Sequence, residues 1–232
     1  MINHKSFQRE NPLNMYALDV IQKELHEDIS RFGRVSFVKK GEVLMRPEEC
    51  LEHFFVILEG RVKVSQINFE NGKEQILYLL SKGDMYDVVS LLDGKLHENV
   101  AMALDEVKVL VFPIELFREW IETKPSFNKL FLPYVAKQLR DVENLASELS
   151  LYDTTTRLMK LIARNIEEHE GKQTLKLINN LSHEELASLI GTVRKVLNRN
   201  LQSLKKQGLI DVKRKEIFIK DSQNLLEHLP EE

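Results

Sequence analysis

The sequence has one cysteine, no long apolar run and almost no net charge. The lone thiol, Cys50, excludes an intramolecular disulfide and any metal or cluster site built only from the cysteines of one chain. A cysteine-ligated iron-sulfur cluster is excluded with it. Apolar runs such as Phe54-Phe55-Val56-Ile57-Leu58 and Ile76-Leu77-Tyr78-Leu79-Leu80 are five residues long, against the roughly 20 a membrane-spanning helix needs. No membrane segment is expected. The opening Met1-Ile2-Asn3-His4-Lys5-Ser6 leads into polar sequence rather than the apolar stretch of a secretion signal. The expected location is therefore the cytoplasm.

What is present is globular. At 43% hydrophobic and 30% charged residues, the chain can build a core and resembles neither a disordered nor a fibrous protein. Its 232 residues predict two unequal domains, at about 150 residues per domain. The formal charge of -3 is an average. Residues 154–232 carry +3, so the remainder carries -6. Residues 192–220 hold nine basic side chains against two acidic ones. Such concentration suggests a polyanion-binding surface, with a solvated helical face as the alternative.

Residues 16–32 read as an amphipathic helix, with Leu18, Ile21, Leu25 and Ile29 at three- and four-residue spacings. From Val35 to Phe112 short β-type runs alternate with the turn signals Lys40-Gly41-Glu42, Glu59-Gly60-Arg61, Asn71-Gly72-Lys73 and Lys82-Gly83-Asp84. Asn71-Gly72 tolerates the positive φ of a hairpin turn. The region predicts a small barrel or sandwich. Helical spacing returns at Ile114, Phe117, Trp120 and Ile121 and ends near Pro125. Val135, Leu139, Val142, Leu145 or Ala146, and Leu149 then recur at near-heptad spacing. This predicts either a dimer seam or a helix packed on its own barrel. Pro133 either starts that helix or lies inside a longer one beginning near Phe127.

The stretch from Leu181 to Leu201 is the most informative. Ser182 and Glu185 have the spacing of a capping box. Leu186, Leu189 and Ile190 give a short helix its buried face, Gly191 permits a tight turn, and Val193, Val196, Leu197 and Leu201 are expected to bury a second helix. Thr192, Arg194, Lys195, Asn198 and Arg199 remain as its polar positions. Arg194, Lys195, Asn198 and Arg199 fall on one broad face that could lie in a DNA major groove, with an interior α-hairpin as the alternative. Gln207 to Val212 and Glu216 to Ile219 read as two strands joined by Lys213-Arg214-Lys215, a cationic wing.

Taken together, these residues resemble the bacterial transcription regulators of the CRP/FNR family, named for the cyclic-AMP receptor protein and the fumarate-nitrate reduction regulator. The resemblance runs through Lys40-Gly41-Glu42, Leu58 to Val64, Asn71-Gly72-Lys73-Glu74, Gly83-Asp84, the long helix, Asp153 with Arg157, and the Leu181–Leu201 element. It implies an α+β chain. Residues 1–124 would form a cyclic-nucleotide-binding-like β-roll, a double-stranded β-helix with flanking helices. Residues 125–152 would be a dimerisation helix lined by Val135, Leu139, Val142 and Leu149, and residues 153–232 a winged helix-turn-helix. Asp153 and Arg157 would mark the hinge, Asp153 capping the following helix. The implied function is a homodimeric regulator that binds an inverted repeat in double-stranded DNA through Ser182, Thr192, Val193, Arg194, Lys195, Asn198, Arg199, Lys213 and Arg214. RNA polymerase is the implied protein partner.

The chain departs from the family's cyclic-nucleotide binders. They follow Gly-Asp with a Gly-Glu pair for the ribose and, later, an Arg-Ser pair for the phosphate. Here those positions read Asp87-Val88 and about His97-Glu98-Asn99, and Val142-Glu143 stands where the adenine contacts would be. Cyclic AMP is therefore not the expected signal. Met85, Tyr86, Val88, His97 and Val142 are the candidate effector-pocket residues. A haem sensor, with Met85, Tyr86, His97 or His4 as axial ligand, and a thiol switch at Cys50 remain alternatives. Cys50 and His53 are too few for a closed zinc site. In the second helix of the Leu181–Leu201 element, Lys195 replaces the family's usual glutamate, so an altered half-site is expected. The rivals from other classes are a cupin-like enzyme and a protein-binding adaptor. The first is disfavoured because seven histidines scattered at 4, 26, 53, 97, 169, 183 and 228 supply no HxH pair. No catalytic set or metal site is expected.

Overall fold

The computed structural model describes residues 25–96, 98–169, 172–213 and 216–230. The chain divides into two compact units between Glu143 and Asn144. In the first, helix α1 (His26–Phe32) leads into strands β1 (Arg34–Val38), β2 (His53–Glu59), β3 (Val62–Asn68), β4 (Lys73–Leu80) and β5 (Met85–Tyr86). The short helix α2 (Val88–Asp93), strands β6 (Val100–Ala103) and β7 (Val107–Pro113), and helix α3 (Ile114–Thr123) follow. Of the predicted 16–32 helix, Leu18 and Ile21 lie outside the described residues; Leu25 is buried and Ile29 packs beside it.

The strands form a four-stranded sheet of order β1-β7-β2-β5 and a three-stranded sheet of order β4-β3-β6. Strand β2 explains how both are held. Successive side chains of a strand point to opposite faces, and here both faces are covered. Phe55 and Ile57 meet Val62, Val64, Leu80, Ala101, Val107 and Val109 in a core shared by the two sheets. Phe54 and Val56 join Phe112, Phe117, Trp120, Phe127 and Phe131 on the helical side. The rings there meet edge-on and tilted, Phe54 and Phe117 at 4.2 Å and Phe117 and Trp120 at 4.8 Å between centroids. Two turns show why glycine marks them. Gly72 has φ 69° in the β3–β4 hairpin. At Gly60, φ is 84° and an added Cβ would meet Glu106 O at 2.4 Å.

Helix α4 (Pro125–Leu151) is one element of 27 residues with Pro133 inside it, so Pro133 does not begin it. At 1.5 Å per residue it is about 40 Å long. Phe127, Leu130, Phe131 and Tyr134 are buried. Leu132, Leu139 and Val142 are exposed and Val135 is half-buried. Val135 packs against the first unit's aromatic cluster, whereas Leu139 and Val142 on the near-heptad face stay exposed. Leu132 extends it one step earlier than the spacing suggested.

The second unit begins in the last turns of α4 and continues through α5 (Thr154–Asn165), strands β8 (Ile166–His169) and β9 (Lys172–Leu175), α6 (His183–Leu189), α7 (Arg194–Lys206), strands β10 (Ile210–Lys213) and β11 (Glu216–Ile219), and α8 (Ser222–Glu227). Strands β8 and β9 pair antiparallel, as do β10 and β11. Leu158, Ile162, Leu186, Leu197, Leu201, Leu204, Leu209, Ile210 and Leu225 are all at most 1% exposed and supply the core. Among the described residues no helix is long and apolar enough to cross a membrane.

Candidate nucleic-acid interface and sensor interior

Helix α6 starts on a reciprocal cap. Ser182 Oγ accepts from the Glu185 amide at 3.1 Å, and Glu185 Oε2 accepts from the Ser182 amide at 2.6 Å. Two of the four amides a helix N-terminus leaves orphaned are thereby used. The Ser182 hydroxyl keeps its own proton as a donor. Gly191, at φ 65°, closes the turn, with the Thr192 amide donating to Ala187 O at 2.9 Å. Helix α7 then buries Leu197, Leu201 and Leu204.

Two features of α7 correct the sequence reading. Val193, expected in the core, is the N-cap residue and 58% exposed. The helix begins only at Arg194, so Thr192 and Val193 stand in the approach to it. Asn198, expected to face outward, is half-buried, and its Oδ1 is withdrawn from solvent without a hydrogen-bond partner. Arg194, Lys195 and Arg199 are exposed, and Gln202 and Lys206 extend the face. Arg194 Nη1 donates to Glu184 Oε1 of α6 at 2.8 Å. Lys205, counted in the basic stretch, is neutralised by Asp211 at 2.6 Å. In the hairpin that follows, Lys213 ends β10 opposite Glu216, with its ammonium over the Phe218 ring at 5.7 Å. Arg214 lies outside the described residues.

Asn200 was not singled out by sequence, yet it is only 4% exposed and its amide donates to Thr154 Oγ1 at 2.9 Å. This ties α7 to the first residue of α5. That helix is capped by Asp153, whose Oδ1 accepts from the Thr156 amide at 2.8 Å. The bond from Thr156 holds the Asp153 carboxyl below its ordinary value. Arg157 Nη1 reaches Leu149 O at 3.5 Å while its Nε is buried and unsatisfied. Glu148, 8% exposed, pairs with Arg164, and Lys160 sits over the Tyr152 ring at 4.6 Å. Leu149 is exposed. Glu148, Tyr152, Lys160 and Arg164 escaped sequence reasoning because helical spacing reveals faces, not the partner across a bend.

The effector-pocket candidates do not converge. Met85 and Val88 face the aromatic cluster beneath the helices, whereas Tyr86 points the other way, into the core between the sheets. Val142 is 40% exposed on α4, and His97 lies outside the described residues. The polar group that does form between the sheets gathers Cys50, Tyr78, Tyr86 and Asp87. Burial, then the Asp87 charge, pushes the Cys50 thiol up to about 12. Burial first and Asp87 second also raise both tyrosines. Asp87 itself is 1% exposed, caps α2 by accepting from the Val89 amide at 3.1 Å, and accepts from Ser90 Oγ at 2.8 Å. Tyr78 could have been found from period-two alternation, since it shares a face of β4 with Leu80.

A β-roll followed by a long helix and a helix-turn-helix with a β-hairpin wing defines a sensor-regulator architecture for duplex DNA. Comparison with known proteins agrees for both units. Residues 35–124 match the cyclic nucleotide-binding domain and residues 156–228 the Crp-like helix-turn-helix domain. The chain belongs to the CRP/FNR family of DNA-binding transcription regulators. It is 26% identical over 189 residues to a CRP-like cAMP-activated global transcriptional regulator of Mycobacterium tuberculosis, covering 80% of this chain and 84% of that protein. It is 25% identical over 188 residues to the global nitrogen regulator of Synechococcus elongatus, covering 78% and 83%. A solved CooA mutant from Carboxydothermus hydrogenoformans superposes with TM-score 0.74 at 22% identity, over 91% of this chain and 94% of that one. FixK2 from Bradyrhizobium japonicum superposes with TM-score 0.73 at 18% identity, over 86% and 98%. These two show the shared fold.

Proposed function

We propose that this regulator acts in the cytoplasm as a homodimer on an inverted repeat, with α7 of each protomer in a major groove and RNA polymerase as its protein partner. The observation that carries the reading is the exposed face of Arg194, Lys195 and Arg199 on a helix whose opposite side is fully buried. Thr192, Val193 and Asn198 flank that face, and Ser182 and Lys213 suit contacts to phosphate. The exposed Leu132, Leu139, Val142 and Leu149 supply an apolar stripe that a second copy of α4 would cover. Two recognition helices about 34 Å apart would meet successive major grooves.

The signal we propose is not cyclic AMP. Val88, buried in the aromatic cluster, offers no carboxylate for ribose hydroxyls, and the exposed Glu98 would repel a phosphate. A thiol switch is disfavoured because Cys50 is 4% exposed and its thiolate is suppressed. For haem, Tyr86 is held protonated and Met85 lies among aromatic rings, so neither fits an axial ligand well.

The test is equilibrium binding of the full chain to duplexes selected from a random pool. Affinity should fall steeply with salt, and the selected sites should be inverted repeats preferred over random DNA by about a thousandfold or more. Arg199→Ala should abolish that preference while the protein stays folded. A weak salt dependence without sequence preference would favour the protein-binding adaptor. Sedimentation of Leu139→Glu should report a monomer if α4 forms the seam.

A further inference from the structure

We propose that Glu184 is a positioning residue for DNA specificity, holding Arg194 for a single base pair and keeping it off the phosphate backbone. The inference rests on the reading of Arg194 as a base-contacting residue. Glu184 lies in the first turn of α6 and Arg194 is the first residue of α7, so their contact crosses the turn of the helix-turn-helix. Arg194 Nη1 and Glu184 Oε1 are 2.8 Å apart, with side chains 62% and 60% exposed. Both therefore sit on the surface that would meet DNA.

A carboxylate beside a duplex is repelled unless a cation accompanies it, and Arg194 is the cation that accompanies Glu184. Guanidinium carries five donors in a rigid fork. One is committed to Glu184, which fixes the plane of the fork and leaves its other edge for the bidentate guanine contact. Without Glu184 the long Arg194 side chain is free to swing to a phosphate, which adds affinity for any sequence and reads none. The arrangement also bears on Lys195. The helix lacks an acceptor at that position, and the Glu184 carboxylate of α6 is engaged with Arg194.

The experiment compares full-length wild type, Glu184→Gln, Arg194→Ala and the double variant on the selected site, on each single-base variant of it, and on random duplex, across a salt series. Arg194→Ala should relax discrimination at one base pair. Glu184→Gln should relax the same base pair by about fivefold, the scale of an exposed ion pair. It should also raise affinity for random duplex and steepen its salt slope by about one phosphate contact. The double variant should discriminate no worse than Arg194→Ala alone. If Arg194→Ala leaves every base preference unchanged, the reading of Arg194 fails and the proposal with it. If Arg194→Ala relaxes one base pair and Glu184→Gln leaves that pair untouched, or weakens all pairs equally, the positioning role is overturned while the reading of Arg194 stands. Both positions are exposed, and unchanged melting curves should accompany every variant.

Discussion

The hydroxyl of Tyr134 takes both backbone groups of Met85, accepting from its amide at 2.8 Å and donating to its carbonyl at 3.1 Å. Gln138 Nε2 donates to the same oxygen at 2.7 Å. One side chain of α4 thus satisfies the backbone of β5 in the middle of the first unit's buried cluster. Tyr134→Phe conserves the ring and removes only the oxygen, leaving the Met85 groups unpaired away from water. The expected cost is about 1–3 kcal/mol, read as a lower midpoint in urea with an unchanged slope. An unaltered midpoint would mean that water replaces the hydroxyl.

A second tie links α7 to α5. Asn200 is buried, and its donor finds Thr154 Oγ1 at 2.9 Å. Thr154→Val should destabilise the chain by about 1–3 kcal/mol because the amide is left without its acceptor. Asn200→Leu in that background should recover part of the loss, since a well-packed apolar pair avoids the penalty. The double-mutant cycle measures the coupling, expected at about 0.5–3 kcal/mol. A coupling of zero would remove the link.

Cys50 should behave as an inert core residue. With its pKa pushed up to about 12, roughly one molecule in ten thousand carries the reactive thiolate at pH 8. Alkylation of the native chain by iodoacetamide should therefore be far slower than in urea, where the ordinary value of 9.0 applies. The sign for stability follows. The folded state favours the neutral thiol, so this contribution is complete below pH 9 and is lost as pH rises toward 12. Rapid native labelling would reopen the redox alternative.

Carboxylates act in the opposite direction. Asp105 accepts from Arg61 Nε at 2.7 Å and from Nη2 at 3.0 Å, and the Arg61 hydrogen bonds hold its carboxyl below the ordinary 3.8. Its stabilising contribution is present above about pH 4 and is lost as pH falls through the depressed folded value. Arg61→Gln should therefore lower stability at neutral pH and shrink the further loss on acidification. Parallel acid titrations by circular dichroism, offset by a constant, would contradict this.

The elements set by local chemistry were legible in the sequence. The Ser182–Glu185 box, the Gly191 turn, the Asn71-Gly72 hairpin and the buried stripe of α7 each depend on residues within one turn or one hairpin. The misplacements share a different cause. A helix beginning at Thr192 would bury Val193, whereas the helix begins at Arg194 and Val193 is its exposed N-cap. The family resemblance points to Met85, Tyr86, Val88, His97 and Val142 as one pocket, but strand alternation sends Met85 and Tyr86 to opposite sides of a sheet. The Asn200–Thr154, Tyr134–Met85 and Arg194–Glu184 contacts depend on how elements pack, which periodicity does not encode. The β8–β9 hairpin carries none of the Asn-Gly signal that marked β3–β4.

Val193 offers a test that separates stability from recognition. At φ -108° and ψ 153° it occupies the N-cap of α7 with no side-chain hydrogen bond. Serine there would accept from a first-turn amide, and the exposed methyls it replaces contribute little burial. Val193→Ser should therefore stabilise the chain by about 0.5–2 kcal/mol, the usual worth of a cap. If those methyls meet a thymine methyl in the groove, the same variant should bind its selected site more weakly and lose a preference for thymine at one position. Calorimetric melting and binding to single-base variants give the two readouts. A variant more stable and equally selective would assign Val193 no part in base contact, and one less stable would show that the α7 N-terminus cannot take a polar cap.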